Sequence, residues 1–159
     1  MRHKFINVLT HETKLLLTIV LFLLFSLTAY ISMKRLFPIK YQETVQQVSK
    51  DTGIPESLLY AVIHTESGFR PEAESHLGAR GLMQLTEETY DWVKYRKKQT
   101  TGDYTDLFDP EMNIQYGAWL LELLTQEFVT ETAVLSAYHA GWGNVKTWLG
   151  NTEYSSDGK

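Results

Sequence analysis

The sequence predicts an all-α protein, with one N-terminal transmembrane helix followed by a single helical domain. Three observations carry that expectation. Leu15 to Met33 is a run of 19 residues without a charge. Beyond it, apolar residues recur at intervals of three and four, the spacing that lines one face of an α-helix. No stretch shows the period-two alternation of a half-buried strand. At 159 residues the chain has room for one domain besides the apolar run.

The expected organisation is a cytoplasmic segment over residues 1–14, an anchor over 15–33, a linker over 34–40 and the domain over 41–159. As a helix, the apolar run spans about 28 Å at roughly 1.5 Å per residue, enough to cross the hydrocarbon of a bilayer. Arg2, Lys4 and Lys14 precede it against Glu12, which favours a cytoplasmic N-terminus and a domain on the outer, cell-wall side of the cytoplasmic membrane. Lys34 and Arg35 follow directly and keep the charge bias small, so the topology leans equally on the chemistry of the domain. A cleaved signal peptide is the competing reading. The run ends in Tyr30-Ile31-Ser32-Met33 and two cations, without a small-x-small cleavage site, so retention as an anchor is expected. Pro38 marks the linker, too short to carry the domain far from the bilayer.

Within the domain, Tyr41, Val45 and Val48 predict a first helix that Thr52-Gly53 stops. Pro55 opens a second helix, whose stripe of Leu58, Leu59, Val62 and Ile63 leads to Glu66 before Gly68 and Pro71 end it. The segment to Arg80 reads as a loop. Thr86 caps a third helix through Trp92, and the basic stretch Lys94 to Asp103 reads as an exposed loop. Asp109-Pro110 opens the longest helix of the domain, with Met112, Tyr116, Trp119, Leu120, Leu123 and Leu124 on its inner face. Shorter helices are expected around Thr132 to His139 and Asn144 to Leu149.

Composition removes several function classes. The chain has no cysteine, which excludes disulfides, thiol catalysis and thiolate-bound metal. Of 15 Lys and Arg and 19 Asp and Glu, three cations and one anion precede the apolar run, leaving a formal charge of −6 after it. No basic surface recommends nucleic acid as a partner. His64, His76 and His139 lack an HExxH-like pairing, so no metal and no cofactor is expected.

Glu66 follows Ile63 by three residues, Val62 by four and Leu59 by seven, so it projects from the helix face those apolar side chains occupy. Burial there disfavours ionisation, the condition for a carboxylic acid that must hold its proton near neutral pH and protonate a glycosidic oxygen. Periodicity alone equally permits a glutamate bending out to water at the helix end.

Four words in series decide between these readings. Glu66-Ser67-Gly68-Phe69, Gly78 to Leu85 (GARGLMQL), Asn113 to Gly117 (NIQYG) and Ala137 to Val145 (AYHAGWGNV) resemble, in order and spacing, the transglycosylase domain of the soluble lytic murein transglycosylase type. That family is related in fold to goose-type lysozyme, and the likeness covers about Tyr41 to Leu149. It implies a lysozyme-like helical domain that cleaves the β-1,4 bond between N-acetylmuramic acid and N-acetylglucosamine in peptidoglycan. Glu66 takes the position of the family's sole catalytic residue, acting first as acid and then as base on the C6 hydroxyl, which closes a 1,6-anhydro ring. With an internal nucleophile, no second carboxylate is needed. The resemblance also places Ser67, Gly81, Met83, Gln84, Tyr138, His139, Ala140 and Gly141 at the glycan site. Gly81 would let backbone approach the sugar, Met83 offer apolar contact, Gln84 amide hydrogen bonds, and Tyr138 a hydroxyl directed at the carboxyl.

Two departures stand out. His139 occupies a position where most relatives have asparagine, which makes binding sensitive to imidazole protonation. The family's later E-T-x-x-Y pattern finds no match, so either a domain shortened at its C-terminus or a fragment of a longer chain is expected, with Glu66 more open to water if that part of the active-site wall is missing. The alternatives are a hydrolytic, lysozyme-like muramidase, for which Glu72, Glu74 and Asp91 stand at no defensible spacing, and a glycan-binding module without turnover. The short linker also fits local opening of the wall beside an envelope-spanning complex.

Overall fold

The computed structural model describes residues 10–151 and 153–155. Arg2 and Lys4, on which part of the topology expectation rests, lie outside them. The chain divides into two units, Met1–Ile39 and Lys40–Lys159. Among the described residues the structure is helical, apart from two isolated bridges, Glu74 to Arg80 and Arg80 to Leu85.

In the first unit, α1 (His11–Leu36) contains the apolar run, with a mean hydropathy of 2.4 over its most apolar window. It is long and apolar enough to cross a membrane. It begins at the Thr10 cap and continues three residues past the expected end at Met33. Nothing stops it sooner: Lys34 and Arg35 suit the negative end of the helix dipole, and only Pro38 forces Phe37 out of helical geometry.

The second unit contains six helices among its described residues: α2 (Gln42–Thr52), α3 (Glu56–Ser67), α4 (Glu87–Arg96), α5 (Pro110–Glu127), α6 (Glu131–Ala140) and α7 (Trp142–Leu149). A 3₁₀ turn, Tyr104–Phe108, precedes α5. Local chemistry sets most boundaries. Gly53 and Gly68 adopt left-handed conformations, φ 72° and 60°, and close α2 and α3 with bonds to Ser49 and His64 carbonyls. Thr86, Asp109 and Thr130 accept backbone N–H groups at the starts of α4, α5 and α6. Pro55 stands one place earlier than expected, as the residue flanking α3.

Two expectations need correction. Lys94, Tyr95 and Arg96 belong to α4 rather than to a loop, because buried Val93 holds that turn against the core and cations suit its C-terminal end. The 3₁₀ turn was not expected; Asp103 caps it while Asp106 bonds back to the Asp103 N–H.

The core is built around α5. It packs against α2, α4, α6 and the 3₁₀ turn, and buries Asn113, Ile114, Tyr116, Gly117, Ala118, Leu120, Leu121, Leu123 and Leu124. A helix buried on this many sides no longer shows a single stripe, which is why Met112 and Trp119, both expected inside, are only partly buried. Tyr116 stacks on Tyr90 of α4 with ring centroids 4.7 Å apart.

Gly81 sits at φ 76°, and a Cβ there would lie 2.1 Å from Asn113 Nδ2 and 2.2 Å from the Leu107 carbonyl oxygen. Gly81→Ala therefore combines left-handed strain with a clash against backbone. It is expected to destabilise the domain by about 2–5 kcal/mol, read as a fall in the thermal unfolding midpoint of the detergent-solubilised chain; an unchanged midpoint would contradict the packing described.

Candidate active site

Glu66 lies in the last turn of α3, on the side of Leu59, Val62 and Ile63, with 20% of its side chain exposed. Burial pushes its carboxyl above the ordinary glutamate range, and His139 beside it pulls the other way. His139 Nδ1 stands 3.9 Å from Glu66 Oε1, too far for a hydrogen bond, so its influence is that of a charge through space when the imidazole is protonated. The imidazole is 85% exposed, which screens that influence and leaves burial dominant.

Tyr138 reaches the same place from α6. Its hydroxyl donates to the Met83 carbonyl at 2.7 Å. Burial, and then the charge of Glu66, hold its pKa well above the ordinary tyrosine value. The Tyr138 proton is thus directed at Met83 and not, as the family resemblance implied, at the Glu66 carboxyl.

Met83 and its neighbours are presented by a knotted loop. Arg80 and Leu85 exchange backbone hydrogen bonds at 2.9 and 3.1 Å, and Gly81 N–H donates to Ala73 at 2.8 Å. Arg80 stacks its guanidinium on Tyr104, 4.3 Å from the ring centroid, and bonds Glu74 at 3.0 Å. The Tyr104 hydroxyl in turn donates to the loop, against the carbonyls of Gly78 and Leu85.

Beneath the loop lies Asn113 of α5, with none of its surface exposed. Its Oδ1 accepts the Met83 N–H at 2.7 Å, while Nδ2 donates to Arg80 and Leu107 carbonyls at 2.9 and 2.8 Å. The side chain thereby ties three separate backbone positions. Sequence reading placed Asn113 within a family word but assigned it no role; an amide in the middle of an apolar helical stretch was the available signal, since burying it unpaired is costly.

Several site residues act differently from expectation. Met83 is fully buried and its sulfur fills the space over Gly117, where a Cβ would lie 2.2 Å away. Its side chain is core, and only its backbone serves the site. Gly81 has no room for a Cβ beside Asn113 and the Leu107 carbonyl. Gln84, at φ 48°, donates its amide to Ala73 and Gly81 carbonyls at 3.1 and 3.0 Å, bracing the loop. Ser67 is buried and turns its hydroxyl back to the Ile63 carbonyl at 3.1 Å. Ala140 accepts from Asn144 Nδ2 at 2.8 Å, and Gly141, exposed at φ 89°, makes the corner between α6 and α7. Leu82 packs in the core, as expected. Among the described residues no cluster of histidine and carboxylate side chains is arranged to hold a metal.

A lysozyme-like helical domain with a half-buried carboxyl, raised in pKa by burial, in the last turn of one helix is the class these features define. The chain belongs to the Transglycosylase SLT domain family, which it matches over residues 43–159. It is 36% identical over 118 residues to the soluble lytic murein transglycosylase of Escherichia coli K12, covering 73% of this chain and 18% of the relative. To membrane-bound lytic murein transglycosylase C of Cronobacter sakazakii it is 36% identical over 116 residues, covering 67% and 32%. The fold is similar to that of an inactive mutant of lytic transglycosylase Slt from Pseudomonas aeruginosa, with a TM-score of 0.70 and 30% identity over 76% of this chain and 20% of the other. A 70-kDa soluble lytic transglycosylase bound to bulgecin A gives 0.69 and 33% over 74% and 19%. The chain thus spans less than a third of the length of these relatives.

A carboxyl whose pKa is raised by folding leaves the folded state binding more protons than the unfolded chain between the two pKa values, so it destabilises as pH rises through that window. Glu66→Gln removes the penalty. The variant is expected to melt above the parent chain at pH 7 to 8, with the difference shrinking toward pH 4; a difference that grows on acidification would contradict the burial of Glu66.

Proposed function

We propose that this protein is a membrane-tethered lytic transglycosylase that cuts peptidoglycan glycan strands between N-acetylmuramic acid and N-acetylglucosamine. The observation that carries the reading is the half-buried carboxyl of Glu66, raised toward its protonated form by burial, with no second carboxylate among the charges acting on it. A hydrolase with two carboxyl groups places them within roughly 5–10 Å of one another so that water or a covalent intermediate can be handled. Glu74 is engaged with Arg80, while Glu72 and Asp91 are exposed. Nothing in that arrangement supplies the second group, which favours attack by a hydroxyl of the substrate itself.

In the proposed sequence, protonated Glu66 donates to the glycosidic oxygen as the bond from muramic acid C1 breaks. The resulting carboxylate then takes the proton of the C6 hydroxyl as that oxygen bonds C1, and Glu66 returns to its acid form. One group serves both steps because the nucleophile is held within the same sugar. His139, beside the carboxyl, favours the ionised form that follows the first transfer.

The N-terminal helix α1 supports attachment to the cytoplasmic membrane, and a membrane-bound relative agrees with it. The substrate lies outside that membrane, so the domain is proposed to face the wall, working close to the bilayer and beside whatever envelope-spanning complex needs a local opening.

Digestion of purified sacculi by the full chain is expected to release fragments ending in 1,6-anhydromuramic acid. Glu66→Gln is expected to lower the rate by about 10²–10⁴-fold, the usual worth of a general acid or base. Reducing-end muramic acid in place of the anhydro form would make the enzyme a hydrolase; strand binding with no cleavage by either chain would leave a binding module.

A further inference from the structure

One exposed face of α6 leads away from Glu66. Thr132, Leu135, Ser136 and His139 recur at intervals of three and four, so they share a side of that helix, and together they line an open strip along it. At one end stands His139, with Nδ1 3.9 Å from Glu66 Oε1. At the other end the strip passes into a cleft of about 430 Å³ between α6, α7 and the segment that follows α7, because Thr132 and Ser136 line both. From His139 to Thr132 the helix covers about 10 Å at roughly 1.5 Å per residue. That is longer than one sugar ring.

The lining of the cleft has the chemistry of a sugar site. Trp148 and Tyr154 stand in it 43% and 70% exposed, two flat rings that the chain leaves partly uncovered. Val145 and Leu149 of α7 add apolar surface, while Thr132 and Ser136 bring hydroxyls. A pyranose offers the matching pair: an apolar C–H face that stacks on an aromatic ring, and a rim of hydroxyl and amide groups that bond to hydroxyls. The volume falls within the roughly 300–1,000 Å³ of small-molecule clefts. None of the described residues that line it is charged. An N-acetylated sugar suits such a lining, whereas the carboxylates of a peptidoglycan peptide stem would find no counter-charge there.

We propose that the cleft of Trp148 and Tyr154 is a distal glycan subsite, holding an N-acetylated sugar of the same strand whose scissile bond lies at Glu66, with the α6 strip as the path between them. A polymer continues beyond the bond that is cut, so a site displaced along the strand adds affinity without touching the reacting atoms. The two rings take the apolar face of the sugar, and the Thr132 and Ser136 hydroxyls take its polar rim. The inference rests on the reading that Glu66 acts on a glycan.

Binding is measured with the full Glu66→Gln chain in lipid nanodiscs, against peptide-free oligosaccharides of β-1,4-linked N-acetylglucosamine. The hexasaccharide is expected to bind more tightly than the disaccharide and to shift the indole N–H resonance of Trp148, assigned by its loss in Trp148→Phe. Trp148→Ala is expected to weaken the hexasaccharide about 3- to 10-fold, the worth of one aromatic contact, and to remove most of the gain with length. Tyr95→Ala, which deletes a ring 81% exposed on α4 and outside the cleft, should change neither affinity. No gain with length, or a Trp148 resonance that stays still with the hexasaccharide bound, overturns the proposal. So does a shift produced by free stem peptide and not by the sugar, which would give the cleft to the peptide. Should Trp148→Ala not fold, the resonance in the chain that keeps Trp148 decides. Sacculus digests separate the two readings: cleavage without a Trp148 response sinks the subsite alone, and the absence of both cleavage and sugar binding sinks the glycan reading with it.

Discussion

One buried amide holds the working parts of this domain together. Asn113 sits in the first turn of α5 with no exposed surface and spends its side chain on Met83, Arg80 and Leu107. An unpaired buried amide costs on the order of 1–3 kcal/mol for each lost partner, so the three bonds are strongly coupled to one another and to the loop geometry. Two glycines follow from the same constraint. Gly81 leaves room for the amide and for the Leu107 carbonyl, and Gly117, one turn along α5, leaves room for the Met83 sulfur. The family words containing these residues therefore describe one packed junction between a helix and a loop.

From that junction the candidate site is reached in two steps. The loop, braced by Arg80 between Glu74 and the Tyr104 ring and by the Gln84 amide, sets the Met83 carbonyl; the carbonyl sets Tyr138. Glu66 arrives separately, on α3, whose end is fixed by Gly68 in a left-handed conformation. The carboxyl meets opposing influences there. Burial favours the acid, exposed His139 favours the carboxylate, and burial is the larger of the two. A group proposed to give and then retake a proton is served by having neither form overwhelmingly preferred.

Much of the scaffold was legible residue by residue. The caps Thr86 and Asp109 and the stops Gly53 and Gly68 act on backbone within a few positions of themselves, so local chemistry is enough to find them. Glu66 was legible for a different reason: helical periodicity put it on the face of Leu59, Val62 and Ile63 but equally allowed it to bend out to water, and the neighbouring family words decided the reading. For Met83, Gln84 and Gly81, expected to meet a sugar, the structure shows packing and bracing that the sequence did not reveal. Their side chains, or the space where one would be, are taken up by α5 and by the loop itself, and spacing along the chain carries no trace of either.

The sequence by itself determined that the domain is helical, that an apolar segment precedes it, and that a glutamate follows the apolar stripe of its helix, because each depends on residues at most a few turns apart. Only the tertiary structure decided which way the Tyr138 proton points, that Asn113 holds the loop from 30 residues away, and that His139 stands over the carboxyl from a different helix. Those are contacts between segments distant in the chain, and hydrogen-bond polarity in particular exists only once both partners have been brought face to face.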